Sequence, residues 1–300
     1  MAISPLWPKP PRWPIQPGAV DPNQRWVWHT RPRFILPLWE HAGAGAVQRY
    51  VRLAQTRRTA RTWQLNAGAA AMQTRYGPGV SIPTDNGAEI EALAGSNPSF
   101  AAWEQNEPYT IALLIRGRSG GASTKHLYRS GSSSTGDHIL WLSSGTTPNL
   151  RHQASGGGTV TITSSVAIVN DTTWSTIVGT WRPGRVELYV DGWSRASSTA
   201  AASSTSALFG IYRWGWGFST SQDFNGDIAL IACFASSWTP AMVRRWHADP
   251  FGFLRPWNEV PALMGSAPPL TPLDRHGRGH LPDGVAPGRS ALRAVEDLPA

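Results

Sequence analysis

A short run of aromatic and basic residues is the first candidate for chemistry in this sequence. Trp214 and Trp216 flank a single glycine, and Arg213 precedes them, in the segment IYRWGWGF. On a strand the two tryptophans would face the same way, whereas a glycine-rich loop would expose them. Exposed indole rings beside an arginine suit stacking against sugar rings. The segment predicts a glycan-binding site, and the alternative is that both tryptophans lie in the core or at an interface.

Residue types that carry out nucleophilic or metal chemistry are sparse. Cys233 is the only cysteine and lies in the apolar run IALIACFASS, which predicts a small buried side chain and excludes a disulfide framework. His276 and His280 stand in HGRGH near the proline-rich end of the chain, where solvated histidines are expected rather than zinc ligands. We therefore predict that the protein is not an enzyme.

Positive charge is concentrated at the start of the chain. Residues 1–75 hold eleven basic and two acidic residues, a net of +9, while the whole chain has a net charge of +8. This predicts a basic arm that meets an acidic partner surface, and the alternative is a solvated arm kept basic for solubility. Because no segment here resembles a nucleic-acid-binding fold, sequence-specific nucleic-acid recognition is not expected.

Both ends of the chain are rich in proline. Nine of the 25 prolines lie in residues 1–40 and eight in residues 256–300, so we predict extended arms at residues 1–33 and 256–300 around a folded body at 34–255. Tryptophans gain from burial, and those of the first arm should dock on a neighbouring subunit or on the chain's own body. The candidate assembly anchors are Trp7, Trp13, Trp26 and Trp28, with Arg12, Arg25, Arg31 and Arg33 as charged contacts.

The body carries the pattern of an all-β domain. Short runs rich in Ile, Val, Thr, Tyr and Trp alternate with Gly, Ser, Asn and Asp clusters, which is typical of a sandwich or jelly roll. In VELYVDGWSR, alternating apolar residues end at Asp191-Gly192, a pair that predicts a two-residue hairpin turn. One helix is predicted, with Thr239 as its N-cap, Pro240 at its first position and its end before Asp249.

Five segments in order resemble the laminin-G/pentraxin-like group of concanavalin A-like jelly rolls. In the segment WSTIVGTWRPGRVELYVDGWS, Trp174, Val178 and Thr180 are similar to the Trp, Val and Thr of the family's W-x-x-V-x-x-T strand, with Val one position later. Residues 188–192 of the same segment match the L-Y-V-D-G hairpin that pairs with that strand. The remaining segments are EPYTIALLIRG, ALFGIY, FNGDIALIACF with Phe224, Gly226 and Ile228, and the closing SSWTPAMVRRWHADPFGFLRP. The resemblance covers roughly residues 33–255 and implies a jelly-roll sandwich with one short C-terminal helix.

A narrower resemblance concerns the end of the domain. A cysteine-poor domain of this kind that ends in HADPFGFLRP is similar to structural proteins of tailed bacteriophage virions. It implies a decoration- or fibre-type component, assembled in the host cytoplasm as a homo-oligomer with other virion subunits. The chain shows no secretory signal and no apolar stretch long enough for a membrane span, which fits this expectation.

The resemblance also suggests sites. Glycoside hydrolases with this fold place carboxylates in an E-x-D-x-x-E strand; here Glu89 and Glu91 share a face, but ALAG follows them without a third carboxylate. Many relatives bind calcium at the rim of the domain, and Asp223 and Asp227 could supply oxygens, the alternative for Asp227 being a local pairing. No cofactor is required. We expect a non-enzymatic virion component that displays a glycan-binding jelly roll, with a stand-alone carbohydrate-binding module or a glycoside hydrolase as alternatives.

Overall fold

The computed structural model describes residues 26–36, 47–49, 62–66, 69–82, 89–92, 107–118, 124–130, 139–153, 159–169, 171–200, 212–214 and 224–254. Backbone contacts divide the chain into a unit from Met1 to Glu259 and a unit from Val260 to Ala300. All described residues lie in the first unit, and they form a β-sandwich.

The strands make up most of this unit. In chain order they are β1 (Pro32–Leu36), β2 (Val47–Arg49), β3 (Thr62–Asn66), β4 (Ala70–Thr74), β5 (Gly77–Ile82), β6 (Glu89–Ala92), β7 (Tyr109–Gly117), β8 (Lys125–Ser130), β9 (Ile139–Ser143), β10 (Thr147–Gln153), β11 (Thr159–Thr163), β12 (Ser175–Arg182), β13 (Arg185–Val190), β14 (Trp193–Ser198), β15 (Tyr212–Trp214) and β16 (Gly226–Phe234). The helices are α1 (Trp26–His29) and α2 (Pro240–Ala248), followed by a 3-10 turn at Gly252–Leu254.

The strands form two antiparallel sheets. The first sheet has the order β14-β13-β12-β7-β16-β5-β4, with β1 also pairing with β16. The second has the order β11-β10-β9-β8-β15-β6-β3-β2. Neighbouring strands are often distant in sequence, as where β7 lies between β12 and β16. This confirms the predicted concanavalin A-like jelly-roll sandwich with one short C-terminal helix.

The central strand β7 shows why the sequence builds two apolar layers. Ile111, Leu113 and Ile115 belong to the core between the sheets, while Ala112 and Leu114 belong to a second cluster on the outer face of the first sheet, the face turned away from the second sheet. Successive side chains of a strand point to opposite faces, so a continuous apolar run is required where both faces are covered.

The core between the sheets includes a polar aromatic group. The His152 ring stacks on Trp181 with centroids 4.5 Å apart, and the Tyr109 hydroxyl lies 3.2 Å from His152 Nδ1. All three side chains are buried. Burial raises the pKa of Tyr109 well above its ordinary value, because desolvation disfavours the phenolate. The hydroxyl therefore stays protonated beside the imidazole.

The helices cover the outer face of the first sheet. Thr239 caps α2, since its Oγ1 accepts a hydrogen bond from Met242 N, and Pro240 is the first helical residue. Val243 and Trp246 of α2 are buried against the cluster that includes Trp238. The predicted helix, with its cap and its end before Asp249, is confirmed.

The predicted hairpin is also confirmed. Asp191 and Gly192 connect β13 to β14 with φ angles of 51° and 81°. Positive φ at both central residues is the backbone of a tight turn that matches the twist of the flanking strands, and Asp-Gly favours it.

The start of the described chain docks on its own domain. Trp28 Nε1 donates to Phe253 O at 3.1 Å, and the Trp26 and Trp238 rings lie 5.2 Å apart. Arg31 Nη2 lies 2.7 Å from Glu107 Oε1. Docking on the chain's own body was one of the two alternatives for these tryptophans, and their role as assembly anchors stays a prediction.

The remaining predicted anchors cannot be placed in the same way. Arg33 is described only as a backbone position in β1, so the predicted boundary after residue 33 falls inside that strand. Trp7, Trp13, Arg12 and Arg25 lie outside the described residues, as does the predicted C-terminal arm at 256–300. In the described part of the chain, neither helix has the length or the apolar character to cross a bilayer.

Candidate ligand-binding site

The predicted glycan site lies only partly within the described residues. Arg213 and Trp214 belong to β15, where Trp214 is paired in register with Ile90 and Tyr128. Trp216 lies outside the described residues. The side chains of Ile90 and Tyr128 are buried. A glycan site at Arg213, Trp214 and Trp216 stays a prediction.

An exposed tryptophan lies elsewhere, at the first position of β14. Trp193 is 57% exposed, and among the described residues Val169 is the other large apolar side chain that is exposed, at 60%. The Arg244 guanidinium carbon lies 5.8 Å from the centroid of the Trp193 ring. Among the described residues, β14 is the edge strand of the first sheet and pairs with β13 only. We call Trp193, Arg244 and His247 the Trp193 surface.

The hairpin and α2 position the Trp193 surface. Asp191 exchanges hydrogen bonds with Thr176, since its N–H donates to Thr176 O at 2.9 Å and its Oδ1 accepts from Thr176 N at 2.9 Å. His247 Nδ1 lies 2.8 Å from Thr176 Oγ1. A Cβ added at Gly192 would lie 3.1 Å from His247 Cδ2. The glycine therefore lets the turn pack closely against α2.

The chemistry of the Trp193 surface is that of a stacking platform with hydrogen-bond donors beside it. An indole face attracts the polarised C–H groups of a sugar ring and covers a large apolar area with little loss of side-chain entropy. Arg244 and His247 are both exposed, and a guanidinium or an imidazole can bond to hydroxyl groups. This arrangement can hold a sugar ring without reacting with it.

Sequence reasoning recognised the hairpin but did not select Trp193. The segment WSRASS that follows the turn is polar apart from its first residue and an alanine, which is typical of an exposed edge strand. A tryptophan in such a strand is the signal that could have indicated the surface.

A second polar group lies across the first sheet, where Asp227 of β16 is in register with Arg116 of β7 and with Ser81 of β5. Arg116 Nε and Nη2 donate to Asp227 Oδ2 at 2.9 and 2.6 Å, and Arg118 Nη2 donates to Asp227 Oδ1 and, at 2.8 Å, to Ser81 Oγ. The Asp227 side chain is fully buried, whereas those of Arg116 and Arg118 are 29% and 36% exposed. We call Arg116, Arg118, Asp227 and Ser81 the arginine row.

Aromatic rings support one end of the arginine row. The Arg116 guanidinium carbon lies 5.4 Å from the centroid of Trp174, which directly precedes β12. Tyr76 meets Trp174 edge-on at 5.7 Å and stacks on Phe251 at 5.9 Å. Trp174 is only 7% exposed, and its ring belongs to the outer apolar cluster.

One of the two predicted calcium ligands, Asp227, belongs to the arginine row. Both carboxylate oxygens of Asp227 accept hydrogen bonds from arginine, which is the local pairing considered as the alternative. Asp223 lies outside the described residues, and the described residues contain no group of three or more His, Cys, Asp or Glu side chains placed to hold a metal. Calcium binding at these positions stays a prediction.

The other residues considered for catalysis lie on strands of different sheets, β6 and β16. Glu89 and Glu91 flank the buried Ile90 in the four-residue strand β6. Cys233 lies in the core between the sheets, and burial raises its pKa well above the ordinary value. The thiolate that a nucleophile requires is therefore disfavoured, and the prediction of a small core residue is confirmed.

The sandwich that carries these surfaces can be compared with known families. Residues 86–244 match the model of the concanavalin A-like lectin/glucanases superfamily. This segment is more than half of the chain, and the protein belongs to that superfamily. Among curated proteins, none has a sequence that matches this chain.

Solved structures share the fold. The binding domain of botulinum neurotoxin serotype G has 11% sequence identity and a TM-score of 0.52, over 66% of this chain and 48% of that chain. The serotype D binding domain has 11% sequence identity and a TM-score of 0.52, over 73% of this chain and 52% of that chain. The binding domain of Paraclostridial Mosquitocidal Protein 1 has 12% sequence identity and a TM-score of 0.51, over 74% of this chain and 52% of that chain. The chain therefore spans about half the length of these three domains, and identities this low show the fold alone.

Proposed function

We propose that the protein is a non-enzymatic carbohydrate-binding jelly roll that forms a surface component of a bacteriophage-like virion. The observation that carries the carbohydrate part is the 57% exposure of Trp193 beside Arg244. Membership of a superfamily that includes lectins supports the same conclusion.

The Trp193 surface suits a sugar because it combines apolar area with donors in one place. A folded domain gains nothing for its own stability by leaving more than half of an indole in water. A sugar ring that covers the indole removes this area from water, and Arg244 and His247 can then bond to its hydroxyl groups. Glu89 and Glu91 lack a third carboxylate in the following ALAG segment, which favours binding over cleavage.

The virion part of the proposal rests on the ends of the chain. The closing segment HADPFGFLRP and the proline-rich residues 1–33 and 256–300 resemble virion proteins held together by extended termini. In this account Trp7, Trp13, Arg12 and Arg25 contact neighbouring subunits, and the jelly roll is displayed outward. The particle would assemble in the host cytoplasm, with a homo-oligomer of this chain as one of its parts.

A glycan panel tests the carbohydrate part. The full chain should bind a subset of glycans saturably, as measured on an array and then by calorimetry for the best oligosaccharide. Trp193→Ala should weaken this binding about tenfold or more, because a lost stacking contact removes roughly 1.5–3 kcal/mol. Val169→Ala is the matched control, since Val169 is similarly exposed and has no aromatic ring to stack on a sugar. Equal losses in the two variants, or no binding by the full chain across a broad panel, would refute the carbohydrate part.

Purified particles test the virion part. Mass spectrometry of gradient-purified particles should find the chain at a constant ratio to the major capsid protein. A chain that lacks residues 1–25 and 256–300, and so keeps Trp26 and Trp28 docked on the domain, should fail to co-sediment while still binding the glycan. If the truncated chain co-sediments as well as the full chain, the arms are not the anchors.

A further inference from the structure

We propose that the Trp193 surface selects sugars that carry an anionic group, a carboxylate or a sulfate ester, over neutral sugars. This inference rests on the proposed function, because it names the class of sugar that the same surface binds. It is carried by an exposed arginine without an ion pair, by a histidine whose second ring nitrogen is a hydrogen-bond donor, and by the hairpin that brings both beside the indole.

The first step is the charge of Arg244. Its side chain is exposed, and its guanidinium carbon lies 5.8 Å from the centroid of the Trp193 ring. Among the described residues, no carboxylate lies within ion-pair distance of this guanidinium, and this includes Asp249 at the end of α2. A guanidinium is always charged, and its planar fork of donors matches the oxygens of a carboxylate or a sulfate. The aromatic face therefore has a positive charge beside it that an anionic sugar can neutralise.

The second step is the position of the neighbouring carboxylates. Neither α2 nor β14 contains an acidic residue. Asp191, in the turn before β14, uses both carboxylate oxygens within the domain, since they accept from Thr176 N at 2.9 Å and from Ser175 Oγ at 3.5 Å. On the adjacent β13, Glu187 pairs with Arg185 at 2.9 Å. These acidic side chains are therefore held by partners other than Arg244.

The third step is a second donor. His247 Nδ1 lies 2.8 Å from Thr176 Oγ1. Thr176 is buried, and its hydroxyl has no other acceptor among the described residues, so we assign the hydroxyl proton to the bond with Nδ1. The ring proton of a neutral imidazole then lies on Nε2, and a charged imidazole carries a proton there as well. Because His247 is exposed, its Nε2–H is a donor at the surface in both states.

The fourth step is the arrangement of these groups around the ring. Arg244 and His247 are three residues apart on α2 and therefore share one face of the helix. Gly192 packs against His247, since an added Cβ would lie 3.1 Å from His247 Cδ2, and Trp193 follows directly. The substituents of a pyranose that stacks on the indole project from the rim of the sugar ring. An anionic substituent there gains a charge-assisted hydrogen bond that a neutral hydroxymethyl group does not.

The experiment compares sugars that differ in charge. The full chain is titrated with methyl β-glucuronide, methyl β-glucoside and glucose 6-sulfate at constant ionic strength. The indole N–H signal of Trp193, assigned with Trp193→Phe, is followed by ¹H–¹⁵N NMR. At least one of the two anionic sugars should bind about fivefold more tightly than the glucoside, the gain expected from one exposed ion pair. Sodium acetate carries charge without a sugar ring and should give no saturable shift.

The two arginines of α2 provide a matched pair of variants. Arg244→Gln should remove the preference, so that the dissociation constants of anionic and neutral sugars differ by less than about twofold. Arg245→Gln makes the same change of charge one residue later, where the guanidinium carbon lies 6.0 Å from the Trp26 ring, and should keep the preference. In the wild type, about 1 M sodium chloride should also reduce the preference, because salt screens exposed charges.

Three results would overturn the proposal. Saturable binding with equal dissociation constants for all three sugars would contradict selection by charge and would leave the proposed carbohydrate binding standing. A preference that persists in Arg244→Gln and is lost in Arg245→Gln would assign the selection to another part of α2. The absence of a saturable Trp193 shift with every sugar would refute both this inference and carbohydrate binding at this surface, so the two failures are distinguishable.

Discussion

Two of the arginine–tryptophan pairs have nearly the same spacing and very different surroundings. Arg116 lies 5.4 Å from the Trp174 ring and Arg244 lies 5.8 Å from the Trp193 ring. Trp174 is 7% exposed and Trp193 is 57% exposed. In the first pair the ring is buried and the charge faces water, whereas in the second the ring itself faces water. The same two residue types therefore form a largely buried support in one place and an exposed aromatic face in the other.

The largest expected difference between the two pairs is in stability. Trp174→Ala should lower the free energy of unfolding by about 3 kcal/mol, because it removes a large buried ring from the outer cluster. Trp193→Ala should cost about 0.5 kcal/mol or less, as is usual for an exposed position. Urea unfolding of the two variants measures both values. An equal loss of unfolding free energy in the two variants would contradict this prediction, because it would mean that the buried and the exposed ring contribute equally to stability.

The arginine row should show the next largest effect. Asp227→Asn removes the charge that two guanidinium groups share, and we expect a loss of about 2 kcal/mol, less than for a fully buried pair because the arginines are partly exposed. Glu187→Gln, which breaks a pair with one arginine that is 44% exposed, should cost clearly less. Thermal unfolding of the two variants measures this difference. A larger loss of stability in Glu187→Gln than in Asp227→Asn would contradict the prediction.

Helix α2 places Arg244 beside the exposed ring of Trp193, so the stability of this helix affects the exposed pair. Thr239→Ala removes the N-cap that accepts from Met242 N and should cost about 1 kcal/mol. Thr239→Ser keeps the hydroxyl and should cost only a few tenths of that value. A loss of the same size in both variants would assign the effect to the methyl group and not to the cap.

Calcium gives the smallest expected effect. Because both oxygens of Asp227 accept from arginine, added calcium or a chelator should leave the melting temperature unchanged within error. A rise in the melting temperature with calcium that is lost in Asp223→Asn would instead establish the calcium site suggested by the resemblance.

The sequence was sufficient for the features that depend on local patterns. Alternation in VELYV, the Asp-Gly turn and the Thr239-Pro240 start of α2 each have a direct physical reading. The structure confirms the strand, the turn and the helix start. The expectation that alternation marks a half-buried strand is wrong, because residues 186–190 are buried on both faces. The superfamily could also be recognised, because its motifs are structural residues in a fixed order.

The candidate site was harder to predict because exposure is set by tertiary structure. Trp174 directly precedes β12 and Trp193 is the first residue of β14, so the two positions look alike in the sequence. Trp193 is exposed because β14 lies at the edge of the sheet among the described strands. Likewise, Arg116 and Asp227 are 111 residues apart, and their meeting depends on β7 lying next to β16. No local pattern carries this information.

The most direct test of the central claim is the ratio of glycan dissociation constants for Trp193→Phe and Trp193→Ala, with the best oligosaccharide from the panel. Phenylalanine keeps an aromatic face, so we expect its dissociation constant to rise about threefold, whereas alanine should raise it about tenfold or more. Equal dissociation constants for the two variants and the wild type would contradict the claim that the exposed ring of Trp193 holds the sugar.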